Sequence, residues 1–273
     1  AAFSGTFDGR IGLLATLTAS LLQVICNLAN DYGDFVHGAD PINKSRHPSA
    51  LQVGLVTLEE MRMAFQLLVV PTIGCGLLLL YCAGLSLQAW AIFLLLGFLA
   101  IVAAITYTVG ERPYGYRGGG DIAVLLFFGF VGVGGTFYLH TQELSGLWLL
   151  PAVSQGCLVV GVLNVNNLRD QAADEQAGKQ TVPVQIGRKA AIYYHWALLM
   201  ISVLTMLAFL WRYTYSLWPS LCLGMVPFLI QHGVAVSRQA PAQLTQQLGH
   251  LVLLQVVFVC LLIIGLLLDG WLR

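Results

Sequence analysis

Eight long apolar stretches constrain this chain more than any other feature. They run at roughly 10–30, 59–82, 87–108, 121–140, 146–168, 189–211, 216–236 and 248–268. Each supplies the about 20 mostly apolar residues that a helix needs to cross a bilayer. Internal Gly and Pro (Pro71, Gly74, Gly76 and Gly97; Pro151, Gly156 and Gly161) suit a lipid-embedded bundle, where small residues let helices approach closely. Only 10% of the 273 residues are charged, against about 25% in a soluble domain. The expected fold is therefore all-α: a polytopic membrane helix bundle with eight visible spans. Residues 1–7 read as the tail of a ninth, with an N-terminal segment lost and no cleavable signal peptide.

The polar connections differ sharply in charge. Segments 31–62, 109–120, 169–189 and 237–247 hold ten of the thirteen Lys and Arg, leaving Arg10, Arg212 and Arg273 for the other side. The positive-inside rule places the rich side in the cytoplasm. Formal net charge is zero, so bulk charge points to no nucleic-acid partner. The six cysteines stand singly and form no C-x-x-C pair, so neither a zinc site nor a disulfide framework is indicated. The histidines share no ligand spacing and read as ordinary surface or core residues.

Two polar motifs follow apolar spans on the cytoplasmic side. "NLANDYGDFVHGAD" occupies 27–40 and "NVNNLRDQAADEQAGKQT" occupies 164–181. Asn27 and Asp31 stand four apart, as do Asn30 and Asp34, while Asn166, Asp170 and Asp174 repeat that step twice. Four-residue spacing stacks side chains along one helical face. Carboxylates at a membrane surface repel one another, and a divalent cation relieves that repulsion. Oxygen-only ligands suit Mg²⁺, which favours one or two carboxylates plus substrate phosphates. Lys44 and Arg46 after the first motif, and Arg169 and Lys179 in the second, are cations suited to phosphate oxygens. Polar helix ends are commonly only caps, but two similar motifs on one side weigh against that. An ion-coupled transporter is the alternative from another class, since intramembrane acids also line ion paths. Acids at helix ends rather than mid-span speak against it.

Between the motifs lies "YTVGERPYGYRGGGD", 107–121, with three tyrosines, two arginines and five glycines. It reads either as a plain positive-inside loop or as a glycine-hinged lid whose aromatic rings face a carbocation.

Together these three segments resemble the intramembrane aromatic prenyltransferases of quinone, haem and chlorophyll synthesis. N-D-Y-x-D-x-x-x-G-x-D (Asn30, Asp31, Tyr32, Asp34, Gly38, Asp40) and P-Y-G-Y (Pro113 to Tyr116) are most similar to the menaquinone branch, which prenylates 1,4-dihydroxy-2-naphthoate. The resemblance runs from about residue 10 to the C-terminus. It implies one transmembrane domain over 1–273, with nine helices around a central cavity capped by cytoplasmic loops, in the bacterial inner membrane. It implies transfer of a polyprenyl group from an isoprenyl diphosphate to the naphthoate, with loss of diphosphate and carbon dioxide. By motif match, Asn30, Asp31 and Asp34 form one Mg²⁺-binding arm and Asp170 and Asp174 the other, with Lys179 near diphosphate. Tyr107 and Tyr114 are the candidates for cation contact or ring-proton removal. Where the family usually carries arginines and Gly-Pro, this chain reads "PINKSRHPS", which leaves open which of Lys44 and Arg46 meets phosphate. The same resemblance admits other acceptors, such as 4-hydroxybenzoate, or a phytyl donor.

Overall fold

The computed structural model describes residues 5–38, 48–214 and 216–271. Among these residues, eight helices are long and apolar enough to cross a membrane, and no β-strand occurs. The all-α reading therefore holds. The elements are α1 (Gly9–Val36), α2 (Leu58–Cys82), α3 (Leu87–Thr106), α4 (Gly120–Val124), α5 (Thr136–Thr141), α6 (Leu149–Gln176), α7 (Val182–Tyr213), α8 (Val226–Arg238) and α9 (Leu244–Trp271). A π-helical stretch, Leu125–Gly135, joins α4 and α5 into one span, and a 3₁₀ stretch, Trp218–Met225, precedes α8.

Helix starts follow from their capping residues. Asp8 accepts from the Arg10 backbone N–H and pairs with the Arg10 guanidinium at 2.7 Å. The Arg10 side-chain bond holds the Asp8 carboxyl down at about 2. Thr57 and Glu60 form a reciprocal capping box at α2, and Ser86 accepts from the Ala89 N–H at α3.

Several helices outrun the bilayer, among them the two that carry the acidic motifs. α1 and α6 each have 28 residues, or about 42 Å at 1.5 Å per residue, whereas hydrocarbon is about 30 Å thick. The sequence reading ends their apolar parts near 30 and 168. The helices continue into both acidic motifs, so Asp31, Asp34, Asp170 and Asp174 sit on terminal helical turns, not in loops.

The chain groups into two compact units. One comprises Ala1–Phe7, Val124–Asp170 and Ile186–Arg273; the other comprises Asp8–Ala123 and Gln171–Gln185. Gly187, with φ 79° and ψ 157°, interrupts α7 beside this boundary. In the first unit, Leu158, Leu199, Met206, Leu229 and Phe258 form the main core. There the π-helical stretch lies tightly on α6: a Cβ on Gly129 would stand 2.8 Å from the Ala152 carbonyl oxygen and 3.1 Å from the Gly156 Cα. His195 and His232 are buried in this unit with ring centroids 5.2 Å apart, as core histidines. In the second unit, α1 and α2 bury Ile25, Ala29, Met61 and Phe65. Bulky apolar residues on span surfaces, such as Leu67, Val70 and Phe98, are exposed. Lipid is the solvent that makes such a surface stable.

Candidate active site

The site in the second unit begins with a close approach. A Cβ on Gly33 would run into the Thr108 carbonyl, so only glycine lets α1 meet the chain leaving α3. The Thr108 hydroxyl then donates to the Ala29 carbonyl at 2.9 Å. His37 faces two carbonyls, with Nδ1 2.8 Å from Gly33 O and Nε2 3.0 Å from Gly110 O. These contacts fix the end of α1 against the 107–119 loop. A cavity of about 390 Å³, lined by Tyr32, Gly33, Val36, His37, Val109, Gly110 and Glu111, opens beside them.

That loop is ordered by its own residues. Gly115 N–H donates to Tyr107 O at 3.0 Å, and a Cβ on Gly115 would stand 2.6 Å from that oxygen. The Tyr107 and Tyr114 rings meet edge to face at 5.5 Å. Tyr114 donates to Ala103 O at 2.9 Å. Desolvation pushes the Tyr114 phenol up to about 12. Burial thus opposes a phenolate at Tyr114.

Tyr116 meets the acids. Its hydroxyl donates to Asp34 Oδ1 at 2.7 Å. Lys179 Nζ lies 2.7 Å from the same oxygen, 3.8 Å from Asp174 Oδ1 and 4.5 Å from the Tyr116 ring centroid. Thr181 donates to Asp174 Oδ2 at 3.4 Å. The turn at Gly178, φ 75°, ends α6 and lets the Lys179 N–H return to Asp174 O at 2.8 Å. Gln180 N–H donates to Tyr116 O at 2.7 Å, tying this turn to the loop. The two motifs are therefore joined within this unit: Asp34 from the first, Asp174 and Lys179 from the second.

In the other unit, Arg169 Nε donates to Asp170 Oδ1 at 2.7 Å and one terminal nitrogen to Oδ2 at 2.5 Å. The same nitrogen reaches Asn166 Oδ1 at 2.8 Å. Arg169 and Asp170 are both buried. Asp170 and Asp174 are successive turns of α6.

Asn30 and Asp31, half-buried, share the last turns of α1 with Asp34. Asp40, Lys44 and Arg46 lie outside the described residues. Tyr116 was not among the sequence candidates. Two residues after Tyr114 in a 3₁₀ turn of about three residues per turn, it faces elsewhere, and that turn (Tyr114–Arg117) was the missing signal.

The family model described as the UbiA prenyltransferase family matches residues 1–254. The chain belongs to this family. It is 41% identical over 270 residues to 1,4-dihydroxy-2-naphthoate octaprenyltransferase of Escherichia coli (strain K12), covering 98% of this chain and 88% of that protein. The enzyme of the same name from Haemophilus influenzae is 40% identical, covering 96% and 86%. A solved structure reported for digeranylgeranylglyceryl phosphate synthase in membranes superposes with a TM-score of 0.59 at 16% identity, covering 96% of this chain and 87% of that one. It shares the UbiA-type fold.

The donor chemistry is compatible with a magnesium ion. Among the described residues, no three His, Cys, Asp or Glu side chains form a ready-made metal cage. Mg²⁺ requires less: one or two carboxylates, with waters and phosphates completing its shell. Asp34 and Asp174 already flank one positive charge, the Lys179 ammonium, so their oxygens suit a cation of this kind.

Proposed function

We propose that this protein transfers a polyprenyl group from an isoprenyl diphosphate to 1,4-dihydroxy-2-naphthoate, releasing diphosphate and carbon dioxide and giving the prenylated hydroquinone, demethylmenaquinol. The observation that carries this is near-full-length identity of 40–41% to two curated 1,4-dihydroxy-2-naphthoate octaprenyltransferases. Those relatives favour the naphthoate over 4-hydroxybenzoate, and a transferase over an ion-coupled transporter.

In this reading the acidic helix ends bind the diphosphate head. Asp34 and Asp174 would hold Mg²⁺, with Asn30 and Asp31 on the last turns of α1 and Asp170 one turn earlier on α6. Bound there, the metal supplies positive charge to the departing diphosphate oxygens. Lys179 adds an ammonium to those oxygens, and Tyr116 orients Asp34 through its hydroxyl. Lys44, Arg46 and Arg169 are further cations assigned to phosphate by sequence. The allylic C–O bond breaks and its electron pair leaves with diphosphate. The naphthoate ring attacks the resulting cation, and loss of carbon dioxide restores aromaticity. Preorganised charge of this type is often the largest catalytic contribution. The faces of Tyr107 and Tyr114 offer cation–π contact, and the apolar spans exclude water that would quench the cation. Positive-inside charge supports a cytoplasm-facing site in a bacterial inner membrane.

The test is product analysis. Purified protein supplied with polyprenyl diphosphate, MgCl₂ and both acceptors should yield prenylated naphthoate by mass spectrometry, and EDTA should stop it. Product from 4-hydroxybenzoate alone would overturn the acceptor assignment. EDTA-insensitive turnover would overturn the metal.

A further inference from the structure

We infer that Lys179 is an internal counter-ion that keeps metal off Asp34 until diphosphate arrives, so that the metal binds only together with the diphosphate. This rests on the diphosphate-binding role proposed above and adds an order of events to it.

The geometry places one ammonium between the two carboxylates proposed to hold the metal. Lys179 Nζ is 2.7 Å from Asp34 and 3.8 Å from Asp174, and these two carboxylates come from helices far apart in sequence. Lys179 is only 11% exposed, so water screens this charge weakly. A divalent ion approaching the same oxygens meets a like charge within contact range. It must either tolerate that repulsion or displace the ammonium from its salt bridge with Asp34. Diphosphate removes the dilemma. Its oxygens accept the ammonium, and the vacated carboxylates turn to the metal.

The chain is built for such an exchange. Lys179 follows the Gly178 turn and carries a flexible four-carbon stem with rotatable donors. The Tyr116 ring, 4.5 Å from Nζ, gives the cation an apolar-faced resting place. The Tyr116 hydroxyl stays on Asp34 and holds that carboxylate as its partner changes. Arg169 offers a contrast. Its two-pronged bond to Asp170 is planar and local, and is a poor candidate for exchange.

Mn²⁺, which paramagnetic resonance detects, serves as the probe on purified full-length protein, alone and with inorganic diphosphate. Wild type should bind Mn²⁺ weakly alone and more tightly with diphosphate. Lys179→Met should bind Mn²⁺ alone roughly ten-fold more tightly or better than wild type, within the usual range of site coupling, and should bind diphosphate less well. Lys179→Gln, should the Met variant fold poorly, should show the same gain, while Lys179→Arg, which keeps the charge, should bind Mn²⁺ alone as weakly as wild type. Adding Asp34→Asn to Lys179→Met should abolish the gain. Unchanged Mn²⁺ affinity in both neutral variants overturns the inference, as does a gain that survives loss of the Asp34 charge. Diphosphate release by wild type on the same preparation reads the proposed activity separately, so failure of one is not mistaken for failure of the other.

Discussion

Asp34 and Asp170 are both buried carboxylates on terminal helical turns, and each is held by a cation, but the two pairs are made differently. Asp170 is gripped by its chain neighbour, Arg169, through a fork that also takes Asn166. Asp34 receives Lys179, 145 residues away, and Tyr116, 82 residues away. The first pair forms wherever α6 forms. The second exists only if α1, the 107–119 loop and the end of α6 are all in place. The local pair is suited to fixing a carboxylate, the long-range pair to changing partners.

The largest effect that tests this contrast is loss of either carboxylate charge. Asp34→Asn and Asp170→Asn should each lower kcat by roughly 10²–10³, the usual cost of removing one element of charge stabilisation. Their stabilities should diverge. Asp170→Asn leaves Arg169 buried without its anion, at about 3–5 kcal/mol, whereas Lys179 keeps Asp174 nearby. A chemical-denaturation comparison in which Asp34→Asn proves the less stable would erase the distinction.

Next in size is the pair of tyrosines. Tyr116→Phe removes a bond to a charged acceptor, worth about 1.5–3 kcal/mol, and should lower kcat by tens of fold with modest loss of stability. Tyr114→Phe removes a neutral bond to the Ala103 carbonyl, about 1 kcal/mol, and should show mainly as reduced stability. Steady-state kinetics beside thermal unfolding separates them, and larger kinetic damage from Tyr114→Phe would reverse their roles.

The smallest effect is alkaline. Burial raises Tyr114 from 10.0 to about 12, so the folded state keeps a proton that the unfolded chain releases. The stability linked to this group is complete below pH 10 and is lost as pH rises through about 12. Stability followed across that window should fall less in Tyr114→Phe than in wild type. Near-ultraviolet phenolate absorbance should show one late-titrating tyrosine missing from the variant.

Much of this was legible in the chain. Apolar run length marked the eight spans, because transfer into lipid adds up residue by residue along a segment. Four-residue spacing marked the shared face of Asn30 and Asp34, because the α-helix has one period. The π-helical stretch inside 121–140 was not legible, since a run that is apolar all round carries no periodicity to reveal a changed pitch. Gly33 reads in sequence as a weak helix residue. Its purpose is visible only against Thr108, where a side chain has no room.

By itself, then, the sequence determined the solvent, the eight apolar spans and the helix ends that carry acid, because these depend on local composition and on one fixed helical repeat. Only the tertiary structure decided that Lys179 and Tyr116 meet Asp34. A hydrogen bond or ion pair needs its atoms within about 3 Å of each other, and across more than eighty residues of chain nothing but the fold sets that distance.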